Sequence, residues 1–427
     1  MIKRVLCFLI CFCLFFTFIA CDGDKKQDTP ATSSATTEAQ TTEEPDDDGS
    51  SSGSKKPSKP QPSLSKATIK IGLSAPLSGP AGIYGTSVLN SAQMAIDEIN
   101  SLTGAGFEFE LISRDDRHDP ANVPEIYASL MDDGIQVSLG GITTTPCREF
   151  ASLSKEDNVF FITPSASGID IAQFDNGYQM CISDAKQGTF AAKFFNEFYA
   201  DKTIGIFYKA DDEYYSGAIY NQFKAALDPY ITTVDASFVG DAMDFTAQIY
   251  ALQNCDVIFM PTYYTPAANF MLQSKYISNR FTAYVGCDGF DGIEYAEGFD
   301  ITNIPQEVSM LTHFNTKATD GPDGEFVQKY KEKYGEDTLT QFGASAYDCV
   351  YAIYDALTFA KGKGANITTK TSASDLCEIL KGVFQNDEFV FRGITGACSA
   401  GEKSYITWNE DGTVSKNMVR FIIKAAD

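Results

Sequence analysis

The sequence predicts an α/β protein built as two doubly wound, parallel-sheet lobes. Two observations predict this. From Ala67 onward, short runs rich in β-branched and aromatic residues alternate with segments of helical spacing, a pattern that implies parallel strands joined by crossover helices. The alternation also comes in two series, and 427 residues exceed one ordinary domain.

In the first series, ATIKIGLSA reads as a strand. Residues 87–102 have helical spacing, with Met94, Ala95, Ile99 and Leu102 as apolar positions. FEFELISRDD is the next strand, 124–132 a helix, IQVSLGG a buried strand and 146–156 a helix. NVFFITPSAS supplies a strand and its exit loop. The second series has strands TIGIFYKA, ITTVDASFV, CDVIFMPTYY and FTAYVGCDG, with helices near 186–200, 215–227, 244–253 and 266–276. Helices near 323–334 and 343–362 follow, then strands around Tyr405 and 418–423.

The segments before the body read as an address and a tether. MIKR carries two positive charges, and residues 5–18 are almost all apolar. About 20 residues are needed to span a bilayer, so this shorter run reads as a secretory signal. Phe18-Ile19-Ala20-Cys21 resembles the lipobox of bacterial lipoproteins. That resemblance implies a signal peptide over 1–20, a lipid on Cys21 and an extracytoplasmic chain anchored to the cell membrane. Residues 21–66 are polar and acidic, with Leu64 as their large aliphatic residue. Such a stretch cannot offset its ordering entropy and reads as a disordered tether.

Composition excludes several function classes. With 33 basic against 57 acidic residues the net charge is −24, and no basic stripe tracks phosphates, so no nucleic-acid partner is expected. Two histidines, His118 and His313, give metal sites and imidazole catalysis little material. Neither metal nor cofactor is expected, and the chain does not read as an enzyme. Asp115-Asp116 reads as a strand-closing turn, His118 as a loop residue and His313 as structural. Thr103-Gly104-Ala105-Gly106 reads as a turn rather than a phosphate cradle. Beyond the leader, Cys147, Cys181, Cys255, Cys287, Cys349, Cys377 and Cys398 form no CxxC pair. Most read as small buried hydrophobes, with room for one disulfide.

In open α/β sheets, ligands bind outside the carboxyl ends of the strands. Tyr84 follows the first strand within PLSGPAGIYG. Thr143, Thr144 and Thr145 follow IQVSLGG. Pro146 suits a first helical position, which makes Thr145 the expected N-cap, and free amides at a helix start attract a carboxylate. Ser165 and Ser167 form a second hydroxyl cluster. In the second series, Tyr214 and Tyr215, then Tyr263 and Tyr264, then Asp288 follow successive strands. A carboxylate facing tyrosine rings suits an ammonium group. A zwitterionic α-amino acid would bridge the two sets. Singly, each residue has a plainer reading as cap, packing ring or turn former; the expectation rests on their joint placement.

The strings IKIGLSAPLSGPAGIYG, AQMAIDEIN, RDDRHDP, FFITPSAS, SDAKQG and YITWNEDGTV, in this order and spacing, resemble the type I periplasmic solute-binding proteins. Within that family they look close to the leucine/isoleucine/valine-binding proteins of branched-chain amino-acid ABC transporters. The resemblance covers roughly residues 67–423. It implies the periplasmic-binding-protein-like I fold, with three crossovers near Asp184, Thr312 and 396–405. Lobe one would then hold 67–185 and 312–398, and lobe two 186–311 and 399–427. It implies a monomer that closes on a small amino acid, branched-chain class favoured, and delivers it to an ABC transporter permease. The same fold also serves as the ligand-sensing part of receptors, which leaves an extracellular domain feeding a separate signalling receptor as the alternative.

Position by position, Thr144 matches a hydroxyl that binds the ligand carboxylate, and Ser167 matches another hydroxyl at the ligand. Ser165 falls where a backbone carbonyl meets the ammonium. Tyr84 matches a ring of the side-chain pocket, and Tyr214 and Tyr263 match tyrosines of the second lobe. A one-residue insertion leaves Tyr215 as the alternative to Tyr214. Asp288 stands where relatives have a glutamate. His118 stands where some relatives have a disulfide cysteine whose partner position is Thr143, so that disulfide is absent here. These departures shift the expectation from leucine, isoleucine or valine to the amino-acid class.

Overall fold

A computed structural model of the chain describes residues 66–396 and 402–426. The expectations for the signal peptide, Cys21, the tether and Cys398 lie outside the described residues. The elements run β1 (Ala67–Ala75), α1 (Gly82–Ser101), β2 (Phe107–Asp115), α2 (Val123–Asp132), β3 (Val137–Ser138), α3 (Thr144–Glu156), β4 (Phe161–Thr163) and β5 (Gly177–Gln179). Next come α4 (Asp184–Phe198), β6 (Ile204–Lys209), α5 (Ser216–Ala226), β7 (Thr233–Phe238), α6 (Thr246–Leu252), β8 (Val257–Met260), α7 (Tyr264–Ser274), β9 (Ala283–Gly286) and β10 (Glu307–Thr312). The chain ends with α8 (Gly321–Tyr334), α9 (Gln341–Gly362), α10 (Ala373–Phe384), β11 (Phe391–Gly393), β12 (Ser404–Trp408), β13 (Val414–Ser415) and β14 (Val419–Lys424).

The first sheet has the order β2-β1-β3-β4-β5 and is parallel throughout, with Ala67 opposite Phe107 and Ala75 opposite Asp115. The second has the order β14-β10-β9-β8-β6-β7, parallel except for the edge strand β14. Helices cover both faces, so central strands such as Val257–Met260 are buried on both sides, which explains why they read as continuous apolar runs. In both sheets the strand order reverses beside the first strand of the lobe, which places a ligand crevice at the carboxyl ends there.

The chain passes between lobes where expected at the first two crossovers. Ile182 packs in the lobe-one core and Ala191 in a lobe-two core. Thr312 ends β10, and Phe314 is already in the lobe-one core. The third crossover was expected at 396–405 and lies later, at 416–418. Ile406 and Val414 are buried in the lobe-one core, and Trp408 donates from Nε1 to the Gln179 carbonyl at 2.9 Å. These contacts hold β12 and β13 on lobe one, and only β14 joins the second sheet. The segments β5, β10, α10, β11 and β13 are present without having been expected.

Among the described residues six cysteines are free, and all six are buried. Burial pushes the Cys147 thiol up to about 12, consistent with a packing role. No described helix is long and apolar enough to cross a membrane.

Candidate ligand-binding cleft

On lobe one the site is set by how β3 and β4 exit their sheet. A Cβ on Gly141 would sit 2.6 Å from the Cys147 Cα, so only glycine lets the β3 exit press against the first turn of α3. Thr163 ties the neighbouring exit to it: its hydroxyl donates to the Gly141 carbonyl at 2.8 Å and accepts from the Ser165 and Ala166 amides at 3.4 and 3.1 Å. Helix α3 begins two residues earlier than Pro146 suggested, with Thr143 as N-cap, Thr144 as first helical residue and Thr145 exposed. Proline is tolerated there because first-turn amides have no acceptor within the helix. The first ladder bond runs from the Cys147 amide to the Thr143 carbonyl at 3.0 Å, leaving the Thr144 and Thr145 amides as free donors. Thr143 does not cap with its hydroxyl. Instead its Oγ1 lies 2.8 Å from His118 Nδ1.

On lobe two, β9 ends at Gly286 and Asp288 opens a one-turn 3-10 helix. Asp288 is 4% exposed. Its Oδ1 accepts from the Tyr215 hydroxyl and its Oδ2 from Gln187 Nε2, both at 2.7 Å. The Asp288 amide donates to Gln187 Oε1 at 3.2 Å, and the Gly289 amide to Tyr215 Oη at 2.8 Å. Burial pushes the Asp288 carboxyl up to about 6, with the Tyr215 and Gln187 hydrogen bonds acting the other way. A second buried acid, Asp184, opens α4 one turn before Gln187. Burial, then the charge of Asp288, hold its carboxyl well above the usual range. Among the described residues neither acid has an ion-pair partner, and Asp184 Oδ2 has no donor. The half-site is therefore negative and buried, with only neutral donors around it. A Cβ on Gly289 would fall 2.2 Å from Tyr215 Oη, so glycine keeps this clasp closed.

The tyrosines sort by exposure. Tyr215 is buried and stacks on Tyr263 with ring centres 4.7 Å apart. Tyr214 is 39% exposed and lies under the Arg148 guanidinium, 3.5 Å from ring centre to carbon. The chain turns at Tyr215, the N-cap of α5, so neighbouring side chains point apart. Of the two alternatives, Tyr215 and not Tyr214 faces the cavity.

Tyr84, Thr144, Ser165, Ser167, Tyr263 and Asp288 line one small cavity between the lobes, with room for about one water in this closed arrangement, while Thr145 and Tyr214 stay outside it. Thr143, Tyr215 and Phe342 also line it. Tyr84 crosses the gap, donating from Oη to the Gly289 carbonyl at 2.7 Å, and Tyr264 crosses back to the Pro80 carbonyl at 2.6 Å. Sequence reasoning missed Gln187 and Phe342. Gln187 had a signal: it lies three residues after Asp184 in SDAKQG, on the same helical face. One wall thus offers hydroxyls and free amides for a carboxylate, and the other a carboxylate and ring faces for a cation.

Comparison with known proteins agrees with this geometry. Residues 68–383 match the family described as periplasmic binding protein. The leucine-, isoleucine-, valine-, threonine- and alanine-binding protein of Pseudomonas aeruginosa is 27% identical over 62% of this chain and 75% of its own length. The leucine-binding protein LivK of Thermotoga maritima superposes with a TM-score of 0.68 at 22% identity, covering 83% of this chain and 95% of the other. LivJ of Streptococcus pneumoniae, a branched-chain amino-acid transporter substrate-binding protein in complex with isoleucine, gives 0.69 at 21% identity, covering 84% and 99%. These relatives are solute-binding proteins, and this chain belongs to the periplasmic binding protein family.

Proposed function

We propose that this chain captures a small amino acid, of the branched-chain class, between its two lobes and delivers it to an ABC importer while tethered outside the cell by a lipid on Cys21. The observation that carries this reading is the opposition across one small cavity of the Thr144, Ser165 and Ser167 residues to the buried Asp288 carboxylate. A free carboxyl end meets hydroxyls and the α3 amides, and a free amine meets Asp288, Tyr215 and Tyr263. Tyr84 and Phe342 supply ring faces against which an apolar side chain would pack as the cleft adjusts to it. Peptides do not suit the site, because a blocked end would leave one wall unpaired. The bound solute touches both lobes only when they close, which couples binding to closure.

A thermal-shift screen against the twenty amino acids tests the reading, since a specific ligand raises the melting temperature by mass action. Leucine, isoleucine or valine should give the largest shift, and N-acetyl-leucine and leucinamide none. A larger shift from either blocked form would sink the proposal.

A further inference from the structure

Beyond the amino-acid cavity, the cleft holds a larger chamber of about 290 Å³ that shares with it the Tyr84 and Tyr263 rings. Ala81 and His118 line it from lobe one, and Lys209, Phe238, Met243 and Thr262 from lobe two. Its wall is mostly apolar, and its polar groups are short of partners. Thr262 is 1% exposed, and its Oγ1 has no hydrogen-bond partner. His118 gives Nδ1 to Thr143, and its other ring nitrogen has no hydrogen bond among the described residues. The Lys209 ammonium makes no ion pair within 4.0 Å among the described residues, although acids outnumber bases 57 to 33 in this chain. Asp241 also lines the chamber, but from the solvent-exposed rim. A buried orphan hydroxyl, an unpaired cation and a free ring nitrogen around apolar walls form a set that an anion with an apolar body would complete.

We propose that this chamber is a second subsite that takes a small apolar carboxylate, its ring or branched body against Phe238 and Met243 and its carboxylate on Lys209 and Thr262. This goes beyond the amino-acid reading and uses none of that cavity's charged groups. The carboxylate would receive a charge-assisted bond from Lys209 and a neutral one from Thr262, so losing Lys209 should cost more than losing Thr262.

Benzoate titrated calorimetrically into the full-length protein tests it. Binding is expected in the wild type, weakened at least tenfold by Lys209→Met and severalfold by Thr262→Val. Saturating leucine should leave it in place, and leucine affinity should be unchanged by Lys209→Met. Circular dichroism confirms the fold of each variant, and Lys209→Gln replaces Lys209→Met if the latter fails to fold. Three results would each overturn the subsite: no benzoate binding at millimolar concentration, competition with leucine, or a gain in benzoate affinity on Asp288→Asn. The last two would place benzoate in the amino-acid cavity. None of them bears on whether leucine itself binds.

Discussion

Replacing Asp288 by asparagine keeps its volume and removes its charge. In the ligand-free cleft, the new amide places donors where Oδ2 now accepts from Gln187 Nε2 at 2.7 Å. Gln187 cannot simply flip, because its Oε1 accepts from the residue-288 amide at 3.2 Å. One buried donor is left unpaired, which costs about 1–3 kcal/mol. The larger effect falls on the complex. A ligand ammonium buried without its carboxylate costs about 3–5 kcal/mol, and each 1.4 kcal/mol is tenfold in affinity. Leucine should therefore bind Asp288→Asn more than 100-fold more weakly. Calorimetry at pH 7.5 reads this directly. Tyr215→Phe is the graded control: it deletes one neutral donor to Oδ1, worth about 0.5–1.5 kcal/mol, and should weaken leucine by roughly 2–10-fold. An Asp288→Asn affinity within tenfold of wild type would remove the carboxylate from the ligand's ammonium and refute the reasoning.

The charge logic also predicts pH dependence. Burial raises the free Asp288 carboxyl to about 6, and only the ionised form pairs with an ammonium, so leucine affinity should be flat above pH 7 and fall toward tenfold per unit below 6; an affinity unchanged from pH 7.5 to 5 would contradict this. Thr144→Val removes a hydroxyl from the carboxylate end, and losing a hydrogen bond to a charged group, about 1.5–3 kcal/mol, should raise the leucine Kd by roughly 10–150-fold; a twofold change would not fit. Tyr214→Ala should leave leucine affinity within twofold, since that ring lies outside the cavity under Arg148; a tenfold loss would restore Tyr214 as the contact. The double variant Tyr84→Phe, Tyr264→Phe deletes both hydroxyl bonds that cross the cleft, at about 0.5–1.5 kcal/mol each; leucine should bind it roughly 5–100-fold more weakly, and small-angle scattering at subsaturating leucine should show a larger open fraction than wild type.

Alternating strands and helices were legible because parallel strands covered on both faces read as unbroken apolar runs, and CDVIFMP needed no tertiary context. Short pieces were not. The strand Gly177–Gln179 carries no periodicity, and its pairing with Phe161–Thr163 is a tertiary fact. Helix α10 could have been found, since Ser372 caps it by accepting from the Asp375 amide, and Leu376, Leu380 and Val383 repeat at helical spacing. The third crossover was misplaced because β12 looks like any edge strand until Trp408 meets Phe384 and Gln179. Within the site, strand ends located Thr144, Ser165 and Asp288, but not which of two adjacent tyrosines turns inward. That choice depends on the backbone turn at Tyr215, where φ is −127° and ψ −78°. Thr145 was preferred as the cap because Pro146 was placed at the first helical position, whereas the third position tolerates proline equally well.

On the proposed function, the burial of Asp288 bears both on selectivity and on why the lobes would wait for their ligand. Raising a carboxyl from 3.8 to about 6 means that ionising it in the closed site costs about 3 kcal/mol at neutral pH. The hydroxyl bonds that cross the cleft, Tyr84 to Gly289 and Tyr264 to Pro80, return about 1–3 kcal/mol together. An ammonium supplies what the protein lacks, a cation beside Asp288, and is accepted only where the closed lobes exclude water. A solute with a carboxylate but no amine satisfies Thr144 and leaves Asp288 uncompensated. Under the proposed function, selectivity for the zwitterion and coupling to closure would have one cause, the placement of an acid with neutral neighbours at the buried end of β9.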